Sequence, residues 1–194
     1  MTNFKKALFF ALFLSGCGFF QKGVSEPEIS KEPRYNAETP ISLKVSNIEI
    51  VSEFSPTFRR PNVEHLMPVS IEKTARLWAN DRLVAADKGS TNVAKYVIED
   101  ASVTEELEKS TRSFYKDSVK YRANLKISLL ISDTKTLSSA KTSVHAWHEL
   151  KIPADTSIAE KEQYWNAMVK KLFDKFDAEM TKNIHEYLAR YANP

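Results

Sequence analysis

The chain is poor in the small and reactive residues on which many functions rest. Of 194 residues, one is cysteine and four are glycine. Gly16, Gly18 and Gly23 lie near the N-terminus, which leaves Gly89 alone in the body. Phosphate-cradling loops need clustered glycines so that backbone amides can approach the ligand. A nucleotide-binding loop of either common kind is therefore excluded. One cysteine supplies neither an internal disulfide nor a thiolate cluster for zinc. Charge of one sign is scarce too. The formal net charge is +3, and two of those units are Lys5 and Lys6. Nucleic acid, which needs a concentrated basic footprint, is not an expected partner. Long apolar runs are also missing. Ala7–Leu14 is unbroken for eight residues, whereas a membrane-spanning helix needs about 20.

That short run carries the clearest signal in the chain. Lys5 and Lys6 precede it, and the small residues Ser15 and Gly16 follow it, directly before Cys17. Positive, then apolar, then small is the layout of a secretory signal peptide. The order Leu14-Ser15-Gly16-Cys17 resembles the lipobox of bacterial lipoproteins. The resemblance implies cleavage after residue 16, diacylation of Cys17 (palmitate being the usual label) and acylation of the new N-terminus. One acyl chain binds a bilayer only marginally, whereas two or more hold. Such a protein would stay on a membrane without crossing it. Gly18 stands where an Asp would resemble an inner-membrane retention signal, so the pattern implies the outer membrane, with the domain in the periplasm.

Three segments follow: a signal peptide at 1–16, a lipidated cysteine and tether at 17–40, and one domain at 41–194. The tether contains Pro27, Pro33 and Pro40 with almost no apolar periodicity, and a coil of that kind spans about 25 Å on average. Within the domain, 41–51 alternates as a strand and changes parity at Asn47, which predicts a bulge or bend. Residues 52–69 form a long proline-bearing loop in which Phe54, Phe58, Arg59 and Arg60 are available for contact. Residues 70–86 have helical spacing, with Ser70 as cap and Gly89 beyond the end. Residues 91–103 and 120–132 read as strands, separated by a charged connection whose apolar members are Leu107, Phe114 and Tyr115. Residues 141–152 pair with 120–132 through a turn near Asp133–Ser138. The Ser157…Glu160 capping box starts a last helix running to about Tyr191. At about 50 Å it exceeds what one sheet face needs, so its end is expected to bend or project.

The expected fold is α+β, in the order β-α-β-β-β-α. It is a two-layer sandwich with a four-stranded, mostly antiparallel sheet and both helices on one face. A lipid-anchored domain of this order is similar to the ABC-type transport auxiliary lipoproteins, which share an early strand, a proline-bearing loop (here "FSPTFRRPNVEHLMP") and a Trp-containing helix (here Trp78). It is also similar to the lipopolysaccharide-assembly lipoprotein, whose Cys-Gly-Phe opening is matched at Cys17-Gly18-Phe19. The chain departs from that second pattern at Phe20-Gln21-Lys22.

No constellation for catalysis stands out. His145 and His148 are three apart in a strand and point to opposite faces. His65 and His185 have no partner at ligand spacing, and no serine is flanked by nucleophile-elbow glycines. No cofactor, metal or enzymatic activity is expected. On the wetted sheet face, Arg122, Lys126, His145, Trp147 and Lys151 are predicted to gather. A Trp beside cations suits contact with a partner or an anionic head group, but the simpler and preferred expectation is that the 104–119 connection shields it. The aromatic stripe of the last helix suits a core, or less simply a membrane surface. The chain therefore reads as a non-catalytic accessory lipoprotein of an envelope transport or assembly system. A periplasmic lipid carrier and a hydrolase remain as alternatives.

Overall fold

The computed structural model describes residues 31–111 and 115–192. The signal-like segment, Cys17, the first part of the tether and Phe114 lie outside these residues. The element order is β1 (Ile41–Leu43), β2 (Ile48–Ser52), a single 3-10 turn (Glu64–Leu66), α1 (Ile71–Arg82), β3 (Leu83–Ala85), β4 (Asn92–Asp100), β5 (Val103–Glu108), β6 (Ser118–Asp133), β7 (Ser139–Pro153) and α2 (Ile158–Tyr187).

The fold is mixed α+β, with two helices, a five-stranded, mostly antiparallel sheet and a small parallel sheet. It departs from the expected four strands in three places. The parity change near Asn47 is a bend, at Lys44 and Ser46, that separates two strands rather than a bulge within one. β1 pairs in parallel with β3 in a two-stranded sheet, while β2 pairs in parallel with β4 in the larger one. The first helix stops at Arg82 rather than at residue 86, because Leu83–Ala85 is drawn out as the partner of β1. The charged connection after residue 103 is itself a strand. Its residues 103–108 pair with the first half of β6, while β4 pairs with the second half. β4 and β5 thus act as one kinked neighbour of β6, with a register shift at Ile98/Asp100.

β6 and β7 form the backbone of the domain, pairing from Ser118↔Pro153 to Ser132↔Ser139. Alternation along β6 sends Tyr121, Ala123, Leu125, Ile127, Leu129 and Ile131 inward, where each is at most 2% exposed. Side chains of a strand alternate between faces, so the intervening Arg122, Asn124 and Lys126 must face water. Both helices lie on the inner face. Trp78 of α1 stacks on Tyr96 of β4 (centroids 5.9 Å) and meets Phe176 of α2 edge-on at 4.9 Å. Tyr121 of β6 meets Trp165 edge-on at 5.5 Å.

α2 starts at the predicted capping box, with Ser157 Oγ accepting from the Glu160 N–H and Glu160 returning the bond to the Ser157 N–H. It neither bends away nor projects. A helix of 30 residues is about 45 Å long, and a hairpin of 15-residue strands is about 50 Å. Its stripe therefore stays covered, down to Ile184 and Leu188 at 0% exposure.

Where the helices meet, a charged side chain is buried. Arg82 is 5% exposed. Its Nε donates to Asp177 Oδ1 at 2.9 Å, its Nη2 donates to Thr181 Oγ1 at 3.1 Å, and its Nη1 donates to the Thr39 carbonyl. Trp78 Nε1 donates to the same Asp177 oxygen at 2.8 Å.

Residues 32–39, within the segment read as tether, lie along α1. Glu32 pairs with Lys73 at 2.9 Å near the start of α1. Further along, Arg34 Nε donates to Asp81 Oδ2 at 2.8 Å, and the Tyr35 N–H donates to the same oxygen at 2.9 Å. The Tyr35 ring is buried against Phe173. The Arg34 guanidinium, helped by the Tyr35 N–H, holds the Asp81 carboxyl below its ordinary value. A carboxylate whose folded pKa is lowered contributes stability above the unfolded value, about 3.9, and loses it as pH falls through the folded one. Hydrogen-exchange protection of the Tyr35 amide, corrected for intrinsic rate, is therefore expected to fall below about pH 4. In Asp81→Asn it should already be reduced at neutral pH.

Candidate functional site

Two surfaces carry the residues singled out from the sequence. The first is the wetted sheet face. The register sets Lys126 opposite His145, Asn124 opposite Trp147, Arg122 opposite Glu149 and Lys120 opposite Lys151. The predicted group of Arg122, Lys126, His145, Trp147 and Lys151 thus shares one face. Its cations are not free, however. Lys126 meets Glu99 at 2.8 Å, Arg122 meets Glu149 at 3.4 Å, Lys120 meets Glu106 at 2.9 Å and Lys151 meets Glu108 at 2.5 Å. The Lys126 ammonium, with the Ser128 hydroxyl, pulls the Glu99 carboxyl below its ordinary value, and Lys151 does the same to Glu108. Cross-strand pairs of opposite sign support a sheet, and here they form a ladder that neutralises the face.

Trp147 is the exception on that face, being 41% exposed. The Arg122 guanidinium lies 4.7 Å from its ring centroid, and Lys175 reaches it from α2 at 5.2 Å. Both are within cation–π range. The 104–119 connection does not shield it, because β5 pairs with β6 on the side away from β7. What remains is an exposed indole with cationic neighbours at the outer strand of the sheet.

The second surface is the loop after β2. Its four candidates separate. Phe54 packs against the core, held where the Glu53 and Phe54 N–H groups donate to the Ile98 carbonyl. Arg60 is tied to Glu105 at 2.8 Å. Arg59 is exposed and makes no ion pair among the described residues. Phe58 is 66% exposed with φ 53°, left-handed backbone that a bulky side chain rarely adopts. Its ring rests on His65 at 5.4 Å. Beyond the tip the chain lines up on β5, with the Glu105 N–H donating to the Pro61 carbonyl at 2.8 Å and the Val63 N–H to the Val103 carbonyl at 2.7 Å. The loop's length thus has a structural purpose as well, since it covers an open edge. A groove of about 420 Å³ lies beside it, lined by Arg60, Pro61, Glu105, Leu107 and Val119.

The histidines stay apart. Burial, with Lys171 and Lys175 nearby, lowers the His148 pKa. His145 lies on the opposite face, and no group of three or more His, Cys, Asp or Glu able to hold a metal is found among the described residues. No described helix is long and apolar enough to cross a membrane.

No family model matches the sequence, and no curated protein matches it either. Solved structures do. A minor lipoprotein from Acinetobacter baumannii is 12% identical, with a TM-score of 0.40, over 78% of this chain and 98% of that one. A homologue of the neuraminyllactose-binding haemagglutinin from Helicobacter pylori is 11% identical, with a TM-score of 0.43, over 81% and 94%. Rare lipoprotein B from Shewanella oneidensis is 10% identical, with a TM-score of 0.27, over 72% and 99%. At these values the likenesses carry neither a family nor a function to this chain.

Proposed function

We propose that the protein is a lipid-anchored envelope lipoprotein acting as a non-catalytic accessory subunit of a transport or assembly system. The observation that carries this reading is Leu14-Ser15-Gly16-Cys17 behind its basic and apolar flanks. The folded part supports it in one respect. Phe58 and Trp147 are aromatic residues left 66% and 41% exposed, and such side chains offer contact area to a partner. The membrane is met through Cys17, in the outer membrane with the domain in the periplasm. A protein partner is met at Trp147, where an indole flanked by cations can stack on and hydrogen-bond to an incoming chain.

Photo-crosslinking from position 147 in intact cells tests the partner. A discrete protein adduct, absent when the probe is moved to the exposed Leu137 position at the β6–β7 turn, is the expected result. Adducts with lipid alone would overturn the accessory role. A carrier would instead retain a lipid in native mass spectrometry of the purified domain, and no retained lipid is expected.

A further inference from the structure

Among the described residues, one long edge of the sheet is left without a partner strand. β4 and β5 flank β6 on one side and β7 flanks it on the other, so β7 ends the sheet with 15 residues and β6 as its single partner. The opposite margin is managed differently. β2 is five residues long, and β5 is covered by the loop through Pro61 and Val63. Sheets shorten or cover their edges because a free row of N–H and C=O groups is a template for another strand.

The register identifies the free groups. At the two ends of the hairpin the Asp133 N–H donates to the Ser138 carbonyl and the Ala154 N–H to the Asp117 carbonyl, and the pairing between them is unbroken. In an antiparallel pair, alternate residues turn both backbone groups to the partner. Even residues of β7 therefore bond to β6, while odd ones turn their N–H and C=O outward. Asn183 of α2 donates to the Ser143 carbonyl at 3.3 Å, which agrees with this parity and closes that end of the row. From His145 to Lys151 no hydrogen bond among the described residues closes it.

Two cations border the open stretch. Lys171 and Lys175 of α2 lie beside His148, and Lys175 reaches past the edge to within 5.2 Å of the Trp147 ring centroid. Their neighbour Lys170 is paired with Asp174, whereas Lys171 and Lys175 make no ion pair among the described residues. Along the helix row 171, 175, 179, 183 the sole acid is Glu179. Such an edge rejects a second copy of itself, because pairing about a two-fold axis near Trp147 would set Lys175 against Lys175.

We propose that the β7 edge from His145 to Lys151 takes an extended segment of the partner protein as an added strand, with carboxylates at alternate positions of that segment. Its main chain bonds the outward groups of β7. Its carboxylates lie on the α2 side, against Lys171 and Lys175, and the residues between them lie beside the Trp147 indole. Added strands are held by main-chain hydrogen bonds and selected by alternate side chains. Lys175 crosses the edge on a flexible stem, and an incoming carboxylate draws it off the indole. The inference deepens the partner contact at Trp147 and rests on it.

The test uses the chain from Cys17 onward with a ten-residue peptide alternating glutamate and valine, and a lysine–valine peptide for comparison. Amide hydrogen exchange is read by residue. In the free protein the Trp147 and Glu149 amides are expected to exchange at least about 100-fold faster than those of Ala146 and His148. The glutamate peptide should slow the odd amides several-fold and leave the even ones unchanged, and Lys171→Glu/Lys175→Glu should transfer the effect to the lysine peptide. Equal slowing by both peptides, or slowing by neither, overturns the proposal. Odd amides protected without peptide also overturn it, and protection that grows with protein concentration identifies the occupant as a second copy. In intact cells, the protein adduct from position 147 should fall several-fold in the double variant. An undiminished adduct overturns the added strand and leaves the accessory role standing. Absence of any protein adduct from the unaltered chain overturns that role itself, and is told apart because the peptide measurement needs no partner.

Discussion

Cys17→Ser is expected to release the protein from the membrane fraction and to abolish its labelling by palmitate. The effect should be close to complete because neither the apolar run Ala7–Leu14 nor any described helix is long and apolar enough to span a membrane in the anchor's place. Each buried methylene contributes about 0.8 kcal/mol, so a diacylated cysteine holds the bilayer through some tens of methylenes. By comparison, fully burying one large apolar side chain gives at most about 1.5–3 kcal/mol. Fractionation and metabolic labelling of the same strain measure both outcomes. A Cys17→Ser protein that still pellets with membranes and still takes up palmitate would remove the anchor from the account.

The second large effect lies inside the fold. Asp177→Ala is expected to lower stability by about 3 kcal/mol, and Tm by about 6–12 °C for a domain of this size. Asp177 accepts from both the Arg82 Nε and the Trp78 Nε1. Its loss leaves a cation that is 5% exposed without its carboxylate and a buried indole N–H without an acceptor. The lower part of the range for breaking a buried pair applies because the Asp177 side chain keeps about a fifth of its exposure. Asp174, one turn earlier, pairs with Lys170 on the surface, both side chains being more than half exposed. Asp174→Ala should therefore change Tm little. Thermal unfolding of the two variants side by side separates a buried network from a surface ion pair. Equal shifts would mean that the Arg82 site is solvated.

The elements with one dominant period were legible in the sequence. β6 alternates cleanly from Lys120 to Leu129, and only Leu130 then breaks the polar parity, so its inner face could be named residue by residue. The stripe and capping box of α2 located that helix to within a few positions. What was not legible depended on partners distant in sequence. Leu83–Ala85 looks like the continuation of a helix until Ile41–Leu43 lies beside it. Val103–Glu108, rich in Glu and Thr, looks like a solvated connection until β6 supplies a ladder of backbone partners. Composition also made residues 32–39 look like open tether, because Arg34 and Tyr35 find Asp81 and Phe173 only after folding. The candidate residues behaved likewise. Alternation correctly placed Arg122, Lys126, His145 and Trp147 on one face, but the acids that occupy the cations come from β4, β5 and β7. Ile158 and Tyr164 drew no notice because they fall outside the buried stripe.

The segment lying along α1 has a mechanical consequence. Its contacts run in series, Glu32 first, then Arg34 and Tyr35, then Thr39 at Arg82. A pull from the anchor would peel them one at a time instead of shearing them together. Peeling as far as Pro40 pays out about nine residues, roughly 30 Å of slack, before any strand is loaded. The leash can therefore lengthen under tension while the sheet stays intact.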